Sequence, residues 1–205
     1  VTGVRRAHLP DVPAVSTTLA RAFLDDPVAC YLFADAADRP AMLEEFFTLQ
    51  LRRNYLRRGV VYATENLDGA SMWMPPEAPS PTLVERACHF VFSLQLGRRR
   101  AVARRLMALL EARHPREAHW YVGAIGVDPD RQRCGVGGSL LTAGLEQCDR
   151  GGRGVYLEAS RPESARLYER YGFECLEVID SERVGFVIPE LVLMYRPGRS
   201  DRAGR

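Results

Sequence analysis

The sequence predicts an α/β (α+β) fold: a mixed, mostly antiparallel central sheet of six to seven strands, flanked by helices. Three observations carry this. An apolar stretch ending at Val127, a glycine-bearing loop, a helical stretch from Ser139 to Arg150 and a second apolar stretch, Val155 to Ala159, make a βαβ unit. Such a unit requires parallel pairing and a right-handed crossover. Val60 to Glu65 and Ala70 to Met74 flank the turn Asn66-Leu67-Asp68-Gly69 and read as a hairpin. Glu174 to Ile179 and Leu191 to Tyr195 are expected to be a last, antiparallel pair.

Val4 to Ala7 reads as the first strand. Leu9-Pro10-Asp11-Val12-Pro13 then starts a helix with Val12, Val15, Leu19 and Phe23 on one face. Leu24-Asp25-Asp26-Pro27 stops that helix, and Tyr31 and Phe33 follow in a loop or short helix. Met42, Phe46, Leu49 and Tyr55 mark a helix from about Pro40 to Leu56. Beyond the hairpin, a proline-rich loop leads to helical stretches Leu83 to Leu94 and Arg98 to Arg113. The central strand is His119 to Val127, where Gly123 and Gly126 suggest a bulge or a close backbone approach. A further helix, Ala165 to Tyr171, ends at Gly172 as a left-handed cap would end it.

With 205 residues, 46% hydrophobic and 26% charged, the chain suits one domain, taken as residues 1–198, with 199–205 as a flexible tail. No apolar run approaches the ~20 residues of a membrane span, and no secretory leader is expected before Val4. The five cysteines are odd in number and contain no C-x-x-C pair, which disfavours a disulfide framework or a zinc site and fits a reducing cytoplasm. No metal is expected. The net charge is +2 and every basic residue is arginine. The arginine-rich stretch from Arg98 alternates with Val102, Leu106, Leu109 and Leu110, which is an ordinary amphipathic surface helix and no argument for nucleic acid.

The chemistry concentrates between Ala124 and Leu145. Asp128-Pro129-Asp130 ends the strand, and Leu141, Leu145 and Cys148 lie on one face of a helix beginning near Gly137. Between them, glycines and a helix start present bare amides with a partial positive charge, which is a seat for phosphate. A Walker loop is excluded because the chain has no lysine. A dinucleotide fingerprint fits Gly135-Val136-Gly137, with Glu158 as the later acidic residue, but Leu140 stands at its third glycine, and the strand stops well before Gly135. The coenzyme A pyrophosphate loop, Gln/Arg-x-x-Gly-x-Gly/Ala, is matched in full by Gln132-Arg133-Cys134-Gly135-Val136-Gly137.

With Gly126-Val127-Asp128-Pro129 before it and Tyr168-Glu169-Arg170-Tyr171-Gly172-Phe173 after it, this segment resembles the GNAT superfamily of acyl-CoA-dependent N-acetyltransferases. Asp11-Val12-Pro13, His119-Trp120-Tyr121 and Leu157-Glu158-Ala159-Ser160 extend the resemblance over nearly the whole chain, toward the puromycin N-acetyltransferase group. It implies acetyl transfer from acetyl-CoA to a primary amine of a small molecule, an antibiotic or xenobiotic, in a ternary complex. It implies that strands 4 and 5 splay, with the pantetheine arm pairing against Ile125, Gly126 and Val127. Gln132, Arg133, Cys134, Gly135, Val136, Gly137, Gly138 and Ser139 would hold the pyrophosphate. Ser164 stands where the group has asparagine, and Arg133 and Cys134 shift one positive charge along the loop.

Acetyl transfer to an amine needs a proton acceptor for the ammonium, a donor for the thioester oxygen and a proton for the leaving thiol. The resemblance makes Tyr168 the general acid. Glu158, at the end of the fifth strand, is a candidate base, directly or through water, or else a polar residue orienting the pantetheine or the loop, with His119 and Asp25 as weaker candidates for the base. Asp25, Tyr31, Trp73 and Trp120 are expected around the acceptor, although Asp25 and Asp26 also suit a capped helix end, and Trp73 a core anchor. A protein amine as acceptor, or a silent acyl-CoA sensor, are the rival readings. The chain is expected to be a monomer or homodimer without membrane or nucleic-acid partners.

Overall fold

The computed structural model describes residues 3–198; the expected tail, 199–205, lies outside the described residues. Strands β1 (Val4–Arg6), β2 (Val60–Thr64), β3 (Gly69–Met74), β4 (His119–Val127), β5 (Gly154–Ala159), β6 (Glu174–Ile179) and β7 (Leu191–Arg196) form one sheet in the order β1-β2-β3-β4-β5-β7-β6. Every neighbouring pair is antiparallel except β4 and β5, joined by the predicted βαβ crossover. The last two strands pair as expected, with β7 inserted between β5 and β6.

The helices are α1 (Val12–Ala22), α2 (Pro27–Leu32), α3 (Arg39–Gln50), α4 (Leu56–Arg58), α5 (Leu83–Gln95), α6 (Arg100–Glu111), α7 (Val136–Gly151), α8 (Pro162–Glu169) and α9 (Ser181–Val184). On one face of the sheet, Val15 and Leu19 of α1 and Leu43 and Phe47 of α3 pack on Val61, Ala63 and Met72. Further along that face, Leu106 of α6 meets Tyr156, Ile179 and Leu193. On the opposite face, Leu140, Leu141, Leu145 and Cys148 of α7 cover Trp73, Val122, Val155 and Leu157. The four-and-three spacing read from the sequence is therefore the buried stripe of α7.

Several boundaries differ from expectation. Proline at the first position of α8 starts it at Pro162 instead of Ala165, since the missing N–H costs nothing there. The helix predicted from Pro40 to Leu56 is continuous only in outline: Leu51–Tyr55 is a π-helical turn between α3 and α4. That wider turn delivers the Tyr55 hydroxyl to Gly123, where a Cβ would lie 1.8 Å from it.

Gly123 is also the bulge that the sequence suggested. Register passes from Trp73↔Val122 to Met72↔Ala124, leaving Gly123 as the extra residue of β4. Trp120 and Val122 before it face α7, while Ala124 after it faces α1. Pairing between β4 and β5 covers only His119↔Gly154, Trp120↔Val155 and Tyr121↔Tyr156. Beyond Tyr121 each strand stays bonded to its other neighbour, β4 on β3 to Val127 and β5 on β7 to Ala159, so the two part.

Close packing of α7 on the sheet depends on Gly144, whose added Cβ would meet the Trp73 indole at 2.0 Å. Both groups are held, because Trp73 is buried and its Nε1 donates to Ser71 Oγ at 2.8 Å. Gly144→Ala is expected to cost about 1–3 kcal/mol through overpacking, lowering Tm by roughly 2–4 °C for each kcal/mol. Thermal unfolding followed by circular dichroism measures this, and an unchanged Tm would contradict the packing described.

Candidate active site

The loop between β4 and α7 is braced at both ends. Asp128 and Asp130 pair with Arg21 at 3.0 and 2.9 Å, Arg131 pairs with Asp68 at 3.1 Å, and Gln132 Nε2 donates to the Val127 carbonyl at 3.2 Å. Gln132 therefore ties the loop to the strand end. Gly135 has φ +82°, a left-handed conformation that glycine adopts without strain, and it caps α7. Arg133, also left-handed at φ +62°, and Cys134 are exposed at the loop tip.

The first amides of α7, at Val136, Gly137 and Gly138, have no partner within the helix. Ser139 turns back on the loop, its N–H and Oγ bonding the Gly135 carbonyl at 3.0 and 3.3 Å. A Cβ at Gly138 would lie 2.6 Å from the Tyr171 hydroxyl, so the bare glycine lets that ring lie against the helix start. Beside this helix start runs a groove of about 670 Å³, lined by Gly135, Gly138, Ser139, Leu167, Arg170 and Tyr171 among others. Unpartnered amides, a glycine cradle and the Arg170 guanidinium suit a pyrophosphate, and the groove has room for a bulky anion's remainder. Arg170 was not singled out from the sequence, since within the Tyr168 to Phe173 motif it carries no positional signal of its own.

Ile125 and Val127 direct their side chains toward α7, and Gly126 admits α1, since a Cβ at Gly126 would sit 2.7 Å from Leu19. Their main-chain groups on the β5 side belong to the parted edge. An extended amide-bearing chain finds there the bonding pattern of an added strand.

Glu158 projects from β5 to the side occupied by Tyr121, Tyr156 and Tyr55. Its side chain is 7% exposed; Oε2 accepts from the Tyr121 hydroxyl at 3.0 Å, and Oε1 is buried without a hydrogen-bond partner. Burial pushes its carboxyl up to about 7, although the hydroxyls of Tyr121 and Tyr156 work in the opposite direction. The same burial, with the Glu158 charge next, raises the phenols of Tyr55, Tyr121 and Tyr156.

Tyr168, in α8, packs its ring on Phe173 at 5.7 Å between centroids, and burial followed by the Asp26 charge pushes its hydroxyl up to about 12. Asp26 is the buried cap of α2, accepting from the Val28 and Ala29 amides at 2.9 and 3.1 Å and from Ser160 Oγ. Arg161 donates to the Asp25 carbonyl. The α1–α2 linker is thereby fastened to the end of β5 and the start of α8. Ser164 lies in the first turn of α8, its N–H on the Arg161 carbonyl.

Of the four expected acceptor residues, two are elsewhere. Trp73 and Trp120, 1% and 8% exposed, belong to the core beneath α7, on the opposite face of the sheet from Glu158. Their large apolar surfaces and satisfiable indoles make the core the favourable place for them. Tyr31 lies on the Glu158 side, packed at the Tyr156 and Tyr121 cluster, and its hydroxyl donates to the Val187 carbonyl. Asp25 is exposed beside the linker. His114, unsuspected from the sequence because a lone histidine in a connecting segment has no pattern, stands 3.6 Å from Glu158 Oε1.

A carboxyl with a raised pKa ties stability to pH. Between its unfolded value near 4.5 and its folded value of about 7, the native state holds the proton more tightly. Its contribution is therefore full below 4.5 and is lost as pH rises through 7. Glu158→Gln removes this dependence. Relative to the parent, the variant is expected to gain up to about 3 kcal/mol between pH 5 and pH 8, measured by denaturant unfolding at both. A stability difference independent of pH would show that Glu158 ionises normally.

The acetyltransferase (GNAT) domain model matches residues 101–175, from α6 through β6. An uncharacterized N-acetyltransferase of Schizosaccharomyces pombe is 25% identical over 211 residues, spanning 97% of this chain and 85% of the yeast protein. Among solved structures, a histone acetyltransferase HPA2 and related acetyltransferase of Corynebacterium glutamicum superposes with TM-score 0.69 at 22% identity, over 96% of both chains. Arylalkylamine N-acetyltransferase 2 of Aedes aegypti does so with TM-score 0.66 at 13% identity, over 95% of this chain and 98% of that one. At those identities the two structures testify to the fold, which they share from end to end. The matched GNAT domain spans the phosphate loop, the parted strands and Glu158, and together with the yeast relative it supports this chain as an N-acetyltransferase.

Proposed function

We propose that the protein uses acetyl-CoA to acetylate a primary amine of a small molecule, by direct attack in a ternary complex. The observation that carries this is one opening with two kinds of equipment. The edge of β4 beyond Tyr121 leads from an anion-binding helix start to a buried carboxyl that ionises near neutral pH.

Gly135 and the amides of Val136, Gly137 and Gly138, with Arg170, would hold the pyrophosphate, and the backbone of Ile125 to Val127 the extended arm. Bound there, acetyl-CoA supplies an acyl carbon open to attack. Glu158 takes the proton from the acceptor's ammonium, which leaves a neutral, nucleophilic amine. A main-chain N–H of the open β4 edge faces the developing oxyanion. Tyr168 retains its proton far above neutral pH and gives it to the leaving sulfur.

A small acceptor is favoured by the enclosure of Glu158. Its carboxyl is nearly buried, and the Tyr31 bond to Val187 joins α2 to the β6–β7 connection over that side. A polypeptide would need that side open. The relatives leave both classes in view, since one neighbouring structure is described as a histone acetyltransferase and another as an arylalkylamine N-acetyltransferase. The acetylation of an antibiotic amine, as in the puromycin group, belongs to the same proposal through the sequence resemblance.

Thiol release from acetyl-CoA, assayed against puromycin, an aminoglycoside, spermidine and a lysine peptide, tests the acceptor class. Turnover is expected with a small amine, with kcat/KM rising through about pH 7 as Glu158 ionises. Turnover with the peptide alone would overturn the small-molecule reading. Tyr168→Phe is expected to lower kcat by about 100-fold while the calorimetric Kd for acetyl-CoA stays unchanged. Gly135→Val, which forces a β-branched residue into the left-handed region at a cost of about 1–3 kcal/mol, should do the reverse, weakening acetyl-CoA by about tenfold with kcat little changed. Equal effects of both variants on Kd and kcat would dissolve the division of roles.

A further inference from the structure

The orphan oxygen of Glu158 faces a chain of nitrogens. His114, in the segment between α6 and β4, places Nε2 3.6 Å from Glu158 Oε1. Its ring is held against Tyr156 and Tyr121, with centroids 4.6 and 5.0 Å apart. His114 Nδ1 lies 3.2 Å from His119 Nε2, and His119 Nδ1 lies 2.7 Å from the Glu117 carbonyl.

These contacts dictate where the protons sit. A carbonyl only accepts, so His119 Nδ1 carries hydrogen. In neutral His119, Nε2 is then bare and must accept, which puts the hydrogen of His114 on Nδ1 and leaves His114 Nε2 bare. That bare nitrogen meets the bare Oε1 of Glu158. Glu158 Oε1 is buried and unpaired, and it faces a lone pair at that nitrogen unless a proton lies between them.

We propose that His114 and His119 are proton-positioning residues: His114 shares a proton with Glu158 and, with His119, conducts to solvent the proton that Glu158 removes from the acceptor. The proposal deepens the acetyl-transfer reading and rests on it. The N–H bond of the ammonium breaks and an O–H bond forms at Glu158. That proton passes to His114 Nε2 as the His114 Nδ1 proton passes to His119 Nε2, and His119 releases its Nδ1 proton to water. One proton leaves and no charge accumulates; each ring regains its starting tautomer by giving up its Nε2 proton and taking one at Nδ1 through exchange with water. The 3.6 Å gap needs to close by a few tenths of an ångström, the kind of tightening that accompanies substrate binding.

The surroundings favour transfer in this direction. Around Glu158 stand the hydroxyls of Tyr55, Tyr121 and Tyr156 and the Glu111 carboxylate; Arg113 and Glu177 act on Tyr156 from further out. Around His114 stand Glu158, His119 and Glu111. Burial, then the neighbouring His119, lowers the pKa of His114 and keeps it a neutral receiver near pH 7. Its side chain is 25% exposed against 7% for Glu158, so the path leads outward.

The four histidines permit a direct test on the protein without ligands. Two-bond 1H–15N spectra of histidine-labelled protein are recorded from pH 5 to 9. His114 and His119 are expected as Nδ1–H tautomers above pH 8, and the Nε2 signal of His114 should follow a titration step that disappears in Glu158→Gln. An Nε2–H tautomer at His114, or a His114 titration unchanged in Glu158→Gln, overturns the proposal. Kinetics supply the second arm, using acetyl-CoA with puromycin or spermidine, whichever the amine panel turns over. His114→Gln is expected to lower kcat about tenfold and displace the rising limb of the pH profile, with Kd for acetyl-CoA unchanged. A His114→Gln variant with a lower Tm but the parent pH profile would make the histidine structural only. If Glu158→Gln abolishes turnover while His114→Gln does not affect it, the relay alone fails. If Glu158→Gln turns over normally, the base assignment beneath it fails as well.

Discussion

Parallel pairing between β4 and β5 lasts three residues and then ends, and the rest of the structure is arranged around that parting. Main-chain groups inside a sheet are ordinarily paired, and leaving them open is tolerated only where water or a ligand completes them. The cost is contained by strong pairing on the outer sides, β4 to β3 and β5 to β7, so the opening neither closes nor spreads. The bulge at Gly123 sits within the parted length of β4 and turns the strand there. Tyr55, brought in by the π-helical turn, occupies the space a side chain at Gly123 would have filled.

The two ends of the opening differ in their electrostatics. At one end, the α7 start and Arg170 offer donors and positive charge in an exposed groove, the setting that an anion requires. At the other, aromatic rings exclude water from Glu158, so its negative charge is unfavourable and its proton affinity rises to the range where proton transfer at neutral pH is efficient. The aromatic enclosure that raises the proton affinity of Glu158 also makes its ionisation a burden on the fold. Stability given up by a buried carboxylate and reactivity gained by it come from the same desolvation.

Asp26 shows how the opposite walls are joined. Its carboxylate caps α2 and accepts from Ser160 just beyond the end of β5, so the start of α2 is tied to the β5–α8 corner. Tyr31 and Val187 make a corresponding connection farther out. The α1–α2 linker, the β5–α8 corner and the β6–β7 connection are therefore joined by a small number of polar ties between segments far apart in sequence.

Much of this was legible before any coordinates. Helical spacing at Leu141, Leu145 and Cys148, the hairpin around Asn66 to Gly69, the βαβ unit, the bulge-prone glycines and the Gln132 to Gly137 loop are local or periodic signals, and they determined the strands, the parallel pair and the glycine-led start of α7. Other features depend on which faces meet. Nothing in the order of residues places Trp73 and Trp120 beneath α7, because burial on one side of a sheet or the other depends on a register change at Gly123. Nor does it bring His114 to Glu158, 44 positions away in the chain and 3.6 Å away in space. The sequence by itself determined the elements and the chemistry of the loop, since hydrophobic period and backbone freedom are properties of neighbouring residues. Tertiary structure alone decided which side chains surround the buried carboxyl of Glu158, because desolvation and contact arise only when separate segments close over the same space.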